Sequence, residues 1–459
     1  MPLLLRAACL LTLSIVLNGC SALRVDRAAS VAAGYTSLQL CSGYFVSGLP
    51  PERSYAELIR PLPGLGLVSW GIDYALDPST RAVQTSIAGA ITRRAVYRPG
   101  AGCVLLAADG SAARLAPVAP PTQPEAPAAE TLPQAIDPRL QALLEASIDP
   151  APDTRIRAAL VLHRGQIVAE HYGPGITAHT QLPGFSLSKS ITSALAGIMV
   201  GTGRLALDAP APVPEWGDPK DPRHAITLDQ LLRQTSGLDL PQTNSGFDIT
   251  SQILFREGDT AAAAARTALA AAPGTGWNYS DGQYMLISRL LLQASGGSED
   301  DFLRFARTSL FEPLGMHDTT IQFDAAGTPM GANFIFASAR DWARFGQLYL
   351  DGGRVGKRAL LPPGWVTYST TPTLDTGYGA GFWTNRVSGQ VPAWGVPWGF
   401  PHSSADTFFA RGFFGQIVAV VPSEQLVFVR LGAASRKGDD IAGTDRILAA
   451  ILAGLHEPR

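Results

Sequence analysis

Lysine is nearly absent from this chain, with 4 in 459 residues against 32 arginines. Charged residues of every kind make up only 16%, the formal net charge is −2 and the pI is near 6.4. That balance excludes the basic field that draws in nucleic acid. After the first twenty residues, no apolar run is long enough to span a bilayer. The seven histidines (163, 171, 179, 224, 317, 402 and 456) show no H-E-x-x-H or other metal-ligand spacing, so no metal is expected. The G-x-S-x-G elbow is missing too, and nothing calls for an organic cofactor. What the chain has in plenty is apolar surface. At 46% hydrophobic it can bury a substantial core, and 459 residues suffice for one large domain plus a smaller one or for two medium ones.

The opening segment, "MPLLLRAACLLTLSIVLNGC", carries one positive charge at Arg6, then an apolar run, then Leu17-Asn18-Gly19-Cys20. It reads as a targeting segment rather than part of the fold. Its ending resembles the lipobox of bacterial lipoproteins, which implies lipidation of Cys20 and anchoring by several acyl chains. Ser21 after the cysteine fits the outer-membrane sorting pattern. The expected location is therefore the bacterial cell envelope, on the periplasmic face of the outer membrane. Of four cysteines, Cys9 leaves with the signal and Cys20 is the lipid site. Cys41 and Cys103 remain, an even pair in an oxidising compartment, and are predicted to be bonded.

Residues 21–34 read as a tether. A small strand-patterned region follows over 35–115, where "DPST" separates "GIDYAL" from "RAVQTSI". Its apolar content is modest, and a disulfide between its ends would compensate. Residues 116–135, rich in proline and alanine, read as a semi-rigid linker. The large domain occupies 136–459. It opens on a hairpin, "RIRAALVLHRGQIVAEHYG", and runs through helical stretches such as "SKSITSALAGIMVGTG" and "YMLISRLLLQASG". It closes with two strands about "PSEQ" and the helix "DRILAAILAGLHE". Strands at both ends with helices between predict an α+β layout: one antiparallel sheet built from both ends, with a helical subdomain inserted.

One of the four lysines falls in "GFSLSKS" at the head of an apolar helix. Arginine stays charged in any protein environment, whereas a buried lysine can give up its proton. Residues three apart share a helix face, so Ser186 and Lys189 can hydrogen-bond. The free N–H groups of the helix start would favour a developing negative oxygen at Ser186. By itself the spacing fits a serine cap followed by a surface lysine equally well. Ser188 reads as a hydrogen-bonder at the helix start.

Further motifs follow in order: "PGTGWNYSDGQY" at 273–284, then "FFARGFFGQIVAVVP" on a late strand. S-x-x-K, then a tyrosine-containing triplet on a loop, then a glycine-containing triplet on a strand resembles the serine β-lactamases and penicillin-binding proteins. With "LDQLLRQTSGLDL", "EPLGMHDTT", "SARDWARFGQLYLDGG" and "YGAGFWTN", the chain over about 150–455 is similar to class C β-lactamase-related hydrolases. The branch it resembles includes 6-aminohexanoate-dimer hydrolase. The resemblance implies a β-lactamase/transpeptidase-like fold. It also implies Ser186 as acylated nucleophile, Lys189 as its base, Tyr279 as second proton shuttle, and the N–H groups of Ser186 and Phe413 as an oxyanion hole.

The sequence departs from the family pattern at two places. Asp281 stands where that family has asparagine, and a carboxylate there would raise the Lys189 pKa unless Tyr279 carries the proton load. It could also turn away or bind a basic group on the substrate. The strand triplet is Ala410-Arg411-Gly412, without the usual first lysine or histidine. Arg411 could replace it in holding a substrate carboxylate, or strand alternation could turn it to the other side. Asp281, Arg411 and Gly412 are thus the candidate substrate-binding residues. The expectation is an exported serine hydrolase acting on small amides or esters through an acyl-enzyme. The alternatives are a β-lactamase or DD-peptidase, and an inactive envelope binding protein of the same fold. His402 could line the pocket or sit on a surface loop. Tyr378, Phe382, Trp383, Trp394 and Trp398 could wall a cleft or pack internally.

Overall fold

A computed structural model describes residues 25–62, 64–65, 69–108, 132–151, 154–386, 399–436 and 438–457. Cys20, most of the linker, Trp394 and Trp398 lie outside the described residues. The main sheet has six antiparallel strands. In spatial order they are β7 (Trp383–Thr384), β8 (Phe408–Gly412), β9 (Gln416–Val421), β10 (Leu426–Gly432), β5 (Ile156–His163) and β6 (Gln166–Tyr172). Strands from the end of the chain thus pair with the hairpin that begins the large domain, Val429 opposite Leu160.

The central strands read as unbroken apolar runs because both faces are covered. Val418, Val420, Val427 and Val429 face the helical part of the molecule. Ile417, Ala419, Leu426 and Phe428 alternate to the other side. There they pack beneath the helices Pro138–Ser147 and Asp439–His456, through Leu140, Leu144, Ile447 and Ile451. A buried ion pair between Arg430 and Asp439 fixes the last helix at its start. The linker's end, Pro133–Ala135, runs alongside β6 and exchanges backbone hydrogen bonds of 2.9 Å with Ile167.

The N-terminal region holds the antiparallel sheet expected there: β1 (Ile72–Asp77), β2 (Ala82–Ile87), β3 (Ile91–Arg98) and β4 (Gly102–Leu105). The tether reading of residues 21–34 is corrected from Val25 onward, where a 21-residue helix, Val25–Phe45, begins. This helix lies between the small sheet and the helix Ile249–Arg256, covered on both sides. A Cβ on Gly34 would sit 2.5 Å from the Phe255 carbonyl. A helix covered on opposite sides shows no single apolar stripe, so the sequence pattern does not mark it as a helix. Arg93, 3% exposed, donates to the carbonyls of Phe255 (2.6 Å) and Leu106 (2.7 Å), joining the small sheet to the helical subdomain.

Cys41 on that helix and Cys103 on β4 form the predicted disulfide, with Cα atoms 6.1 Å apart and a sequence separation of 62. Cross-links over loops of such length contribute about 2–4 kcal/mol. Replacing both cysteines by serine should lower the denaturation midpoint by a corresponding amount in non-reducing buffer. An unchanged midpoint would show that the crosslink adds no stability.

Candidate active site

The chain enters the site through a two-residue strand, Leu182–Pro183, paired with Phe336–Ala337. Gly184 follows, its N–H on the Ile335 carbonyl at 2.9 Å. A Cβ there would meet the Trp342 ring at 2.6 Å, so only glycine fits so close an approach. Phe185 then takes a left-handed backbone, φ +46°. One tight turn, Phe185–Leu187, leads into the helix Ser188–Gly201. From Leu182 to Met199 every residue is buried except Ser186. The turn therefore presents one hydroxyl to the outside.

The polar side chains of this otherwise apolar helix are all engaged. Ser188 Oγ accepts from the Ile335 N–H at 3.0 Å, as a helix-start hydrogen-bonder would. Ser190, Thr192 and Ser193 donate to the carbonyls of Gly381, Gly331 and Ala380 at 2.6–2.8 Å. Buried hydroxyls need such partners.

Lys189 is the hub. Its Nζ donates to Ser186 Oγ at 3.0 Å and to the Ala332 carbonyl at 3.0 Å, and it forms an ion pair with Asp281. The Tyr279 ring centre lies 4.9 Å away. Burial pulls the lysine pKa down, but the Asp281 carboxylate and Tyr279 push it up by more, so it stands above the ordinary lysine value. At neutral pH the resting lysine is therefore an ammonium.

Tyr279 ends the loop that precedes the helix Asp281–Ser295, whose first turn is capped by Ser280 Oγ accepting from Gly282 N–H at 3.2 Å. Its ring lies against Trp277 (6.1 Å), Tyr378 (5.6 Å) and Trp383 (5.4 Å). Of the proposed aromatic wall, Tyr378 and Trp383 thus pack behind Tyr279. Phe382 instead packs internally, 4.3 Å from the Tyr349 ring.

Two candidate roles change, those of Asp281 and Arg411. Asp281 is 4% exposed, and beyond Lys189 its second oxygen accepts from Gln242 Nε2 (3.0 Å) and Asn333 Nδ2 (3.2 Å). Its lone pairs are committed within the protein, so the substrate-binding assignment is withdrawn and replaced by that of a partner to Lys189. Arg411 pairs with Asp440 on the last helix. Strand alternation places it with Ile417 on the far face of the sheet, away from Lys189, so its substrate role is also withdrawn. His402 caps no cleft: it is a surface-loop histidine, 69% exposed, hydrogen-bonded to Asp445 at 2.6 Å.

Gly412 does reach Ser186. A Cβ on it would lie 2.3 Å from the Gly184 carbonyl and 3.2 Å from Ser186 N. The end of β8 therefore abuts the Ser186 amide, and Phe413, 44% exposed, comes next. Sequence reasoning missed Gln242, Asn333 and the Ala332 carbonyl. Asn333 had one visible signal, a lone amide in the apolar run "MGANFIFA".

The beta-lactamase family model matches residues 144–452. Among solved structures, a protein assigned as a 6-aminohexanoate-dimer hydrolase from Bacillus anthracis is similar at 19% identity and a TM-score of 0.58. That match covers 72% of this chain and 90% of the other. A protein assigned as a beta-lactamase from Bacteroides dorei gives 20%, 0.52, 69% and 100% in the same order. EstCE1, a hydrolase with promiscuous acyltransferase activity, gives 17%, 0.51, 70% and 98%. No curated protein matches the chain.

Because Lys189 is raised, the stability it gains from folding is full below its unfolded value of 10.5 and is lost as pH climbs through the higher folded value. In Asp281→Asn the opposing carboxylate is gone while burial remains, so the amine sheds its proton at lower pH. The rising limb of kcat/KM against pH should move to lower pH than in the wild type. A limb that stays in place or moves up would contradict the assigned pairing.

Proposed function

Since the chain belongs to the beta-lactamase family, we propose that it is an exported serine hydrolase that cleaves small amides or esters through an acyl-enzyme on Ser186. One observation carries this reading. The only accessible group on the nucleophile turn is a hydroxyl 3.0 Å from a buried lysine, with a tyrosine beside that lysine. A nucleophile needs a proton acceptor within hydrogen-bond reach, and the leaving group needs a donor.

With Lys189 in its deprotonated form, Ser186 Oγ attacks the substrate carbonyl carbon and its proton passes to the Lys189 amine, the first member of a Lys189–Tyr279 relay. An equivalent proton leaves the relay through the Tyr279 hydroxyl onto the departing nitrogen or oxygen. The N–H groups of Ser186 and Phe413 hold the tetrahedral oxyanion, an interaction for which one donor is worth about 3 kcal/mol. Water then attacks the acyl carbon, with its proton returning through the same groups.

The substrate preference follows from β8. Its inward residue at the family's cation position is Ala410, fully buried, and Arg411 is held by Asp440. That strand offers no cation to a substrate carboxylate at this position. Neutral esters and amides are therefore favoured over β-lactams and peptide carboxylates. The lipobox-like ending at Cys20 supports a place on the cell envelope, with the membrane as the partner of an acylated N-terminus.

A fluorophosphonate probe should label the wild type and fail to label Ser186→Ala. Tyr279→Phe should lower kcat on p-nitrophenyl esters by about 10²- to 10⁴-fold. An unlabelled wild type with no ester or amide turnover would leave a binding protein of this fold. Rapid nitrocefin turnover would instead favour a β-lactamase.

A further inference from the structure

The family match begins at residue 144, so the N-terminal region stands outside it. Part of that region nonetheless reaches the nucleophile. Its π-helical turn, Tyr55–Ile59, carries Leu58, which is 2% exposed. Leu58 forms a small closed cluster with Phe185, Phe414 and Ala433, with Leu62 packed against it. Phe185 immediately precedes the nucleophile, and Phe414 immediately follows Phe413. Both have left-handed backbones, φ +46° and +60°. Residues with a Cβ persist in that region only where their surroundings over-determine it. The two rings lie 5.5 Å apart, and Phe413 meets each of them, at 6.1 and 4.4 Å.

Leu58 is itself held on both sides. Its carbonyl accepts from the Tyr35 hydroxyl at 3.1 Å. Its neighbour Glu57, buried, pairs with Arg157 of β5 at 2.7 Å and with Arg155. The Arg155 carbonyl accepts from Ala433 N–H at 2.8 Å, and Ala434 N–H donates to the Phe414 carbonyl at 2.9 Å. Helix, π-turn and catalytic turn are thereby closed into one ring of contacts.

We propose that Leu58 is a positioning residue for the reaction: seated on Phe185 and Phe414, it holds the two left-handed turns that aim the Ser186 and Phe413 amides at a common point. The proposal rests on the oxyanion assignment above. The N-terminal region is then a working part of the active site, and its disulfide secures the helix from which the π-turn is hung.

The test compares Leu58→Ala with Leu144→Ala, a fully buried leucine on the far side of the main sheet. Hydrogen exchange should rise about tenfold or more in peptides spanning 184–188 and 412–416 of Leu58→Ala, and stay unchanged in the helix Asp439–His456. kcat on a p-nitrophenyl ester should fall about tenfold with KM nearly constant, because small displacements of reacting groups cost rate. Leu58→Met should restore both, and Leu144→Ala should alter neither. Should Leu58→Ala not fold, Leu58→Val carries the same comparison. Unchanged or uniformly raised exchange, a loss carried by KM, or loosened amides with undiminished kcat would each overturn the proposal. A wild type that turns over no ester or amide would remove the hydrolase reading, while the exchange arm would still decide whether Leu58 holds these turns.

Discussion

One buried ion pair among several, Lys189 with Asp281, organises the candidate site. The two side chains are 1% and 5% exposed. Stripping water from two charges is costly, and their attraction offsets it only when the remaining donors and acceptors are also satisfied. Here they are: three chain segments, around Ser186, Ala332 and Asp281, converge because the ammonium needs oxygens on all sides. Gln242 and Asn333 complete the carboxylate in the same way. Removing one partner of such a pair typically destabilises by about 3–5 kcal/mol, which makes the site a structural keystone as well as a chemical one.

That double role calls for a lysine at this one position. Arginine serves throughout the rest of the chain wherever a planar, permanently charged fork is wanted: Arg157 with Glu57, Arg430 with Asp439, Arg289 with Glu215. In the proposed mechanism, by contrast, the Ser186 turn requires a compact head with exchangeable protons, and arginine cannot supply it.

Much of the candidate site was legible in the residue order, because Ser186, Lys189 and Tyr279, which the structure brings together, sit in motifs whose spacing or neighbours give them away. The sheet built from both chain ends was legible as well, since Ile156–His163 and Leu426–Gly432 are apolar over their full length. Three features were hidden for physical reasons. The helix Val25–Phe45 is buried on opposite sides and so carries no stripe. The direction of Arg411 depends on which face of β8 meets the last helix, and alternation within the strand does not decide that. Gln242 and Asn333 act through distance in space, and no spacing marks a residue whose partner lies in another segment of the chain.

The linker's end against β6 has a separate consequence. Without Pro133–Ala135, the outer backbone of β6 at Ile167 would present open donors and acceptors, a template for any extended chain that drifts past. With its N–H and carbonyl already taken by the protein's own linker, the sheet is closed to strand addition there. Crowded copies of the molecule can therefore lie side by side without stitching their sheets together at that margin.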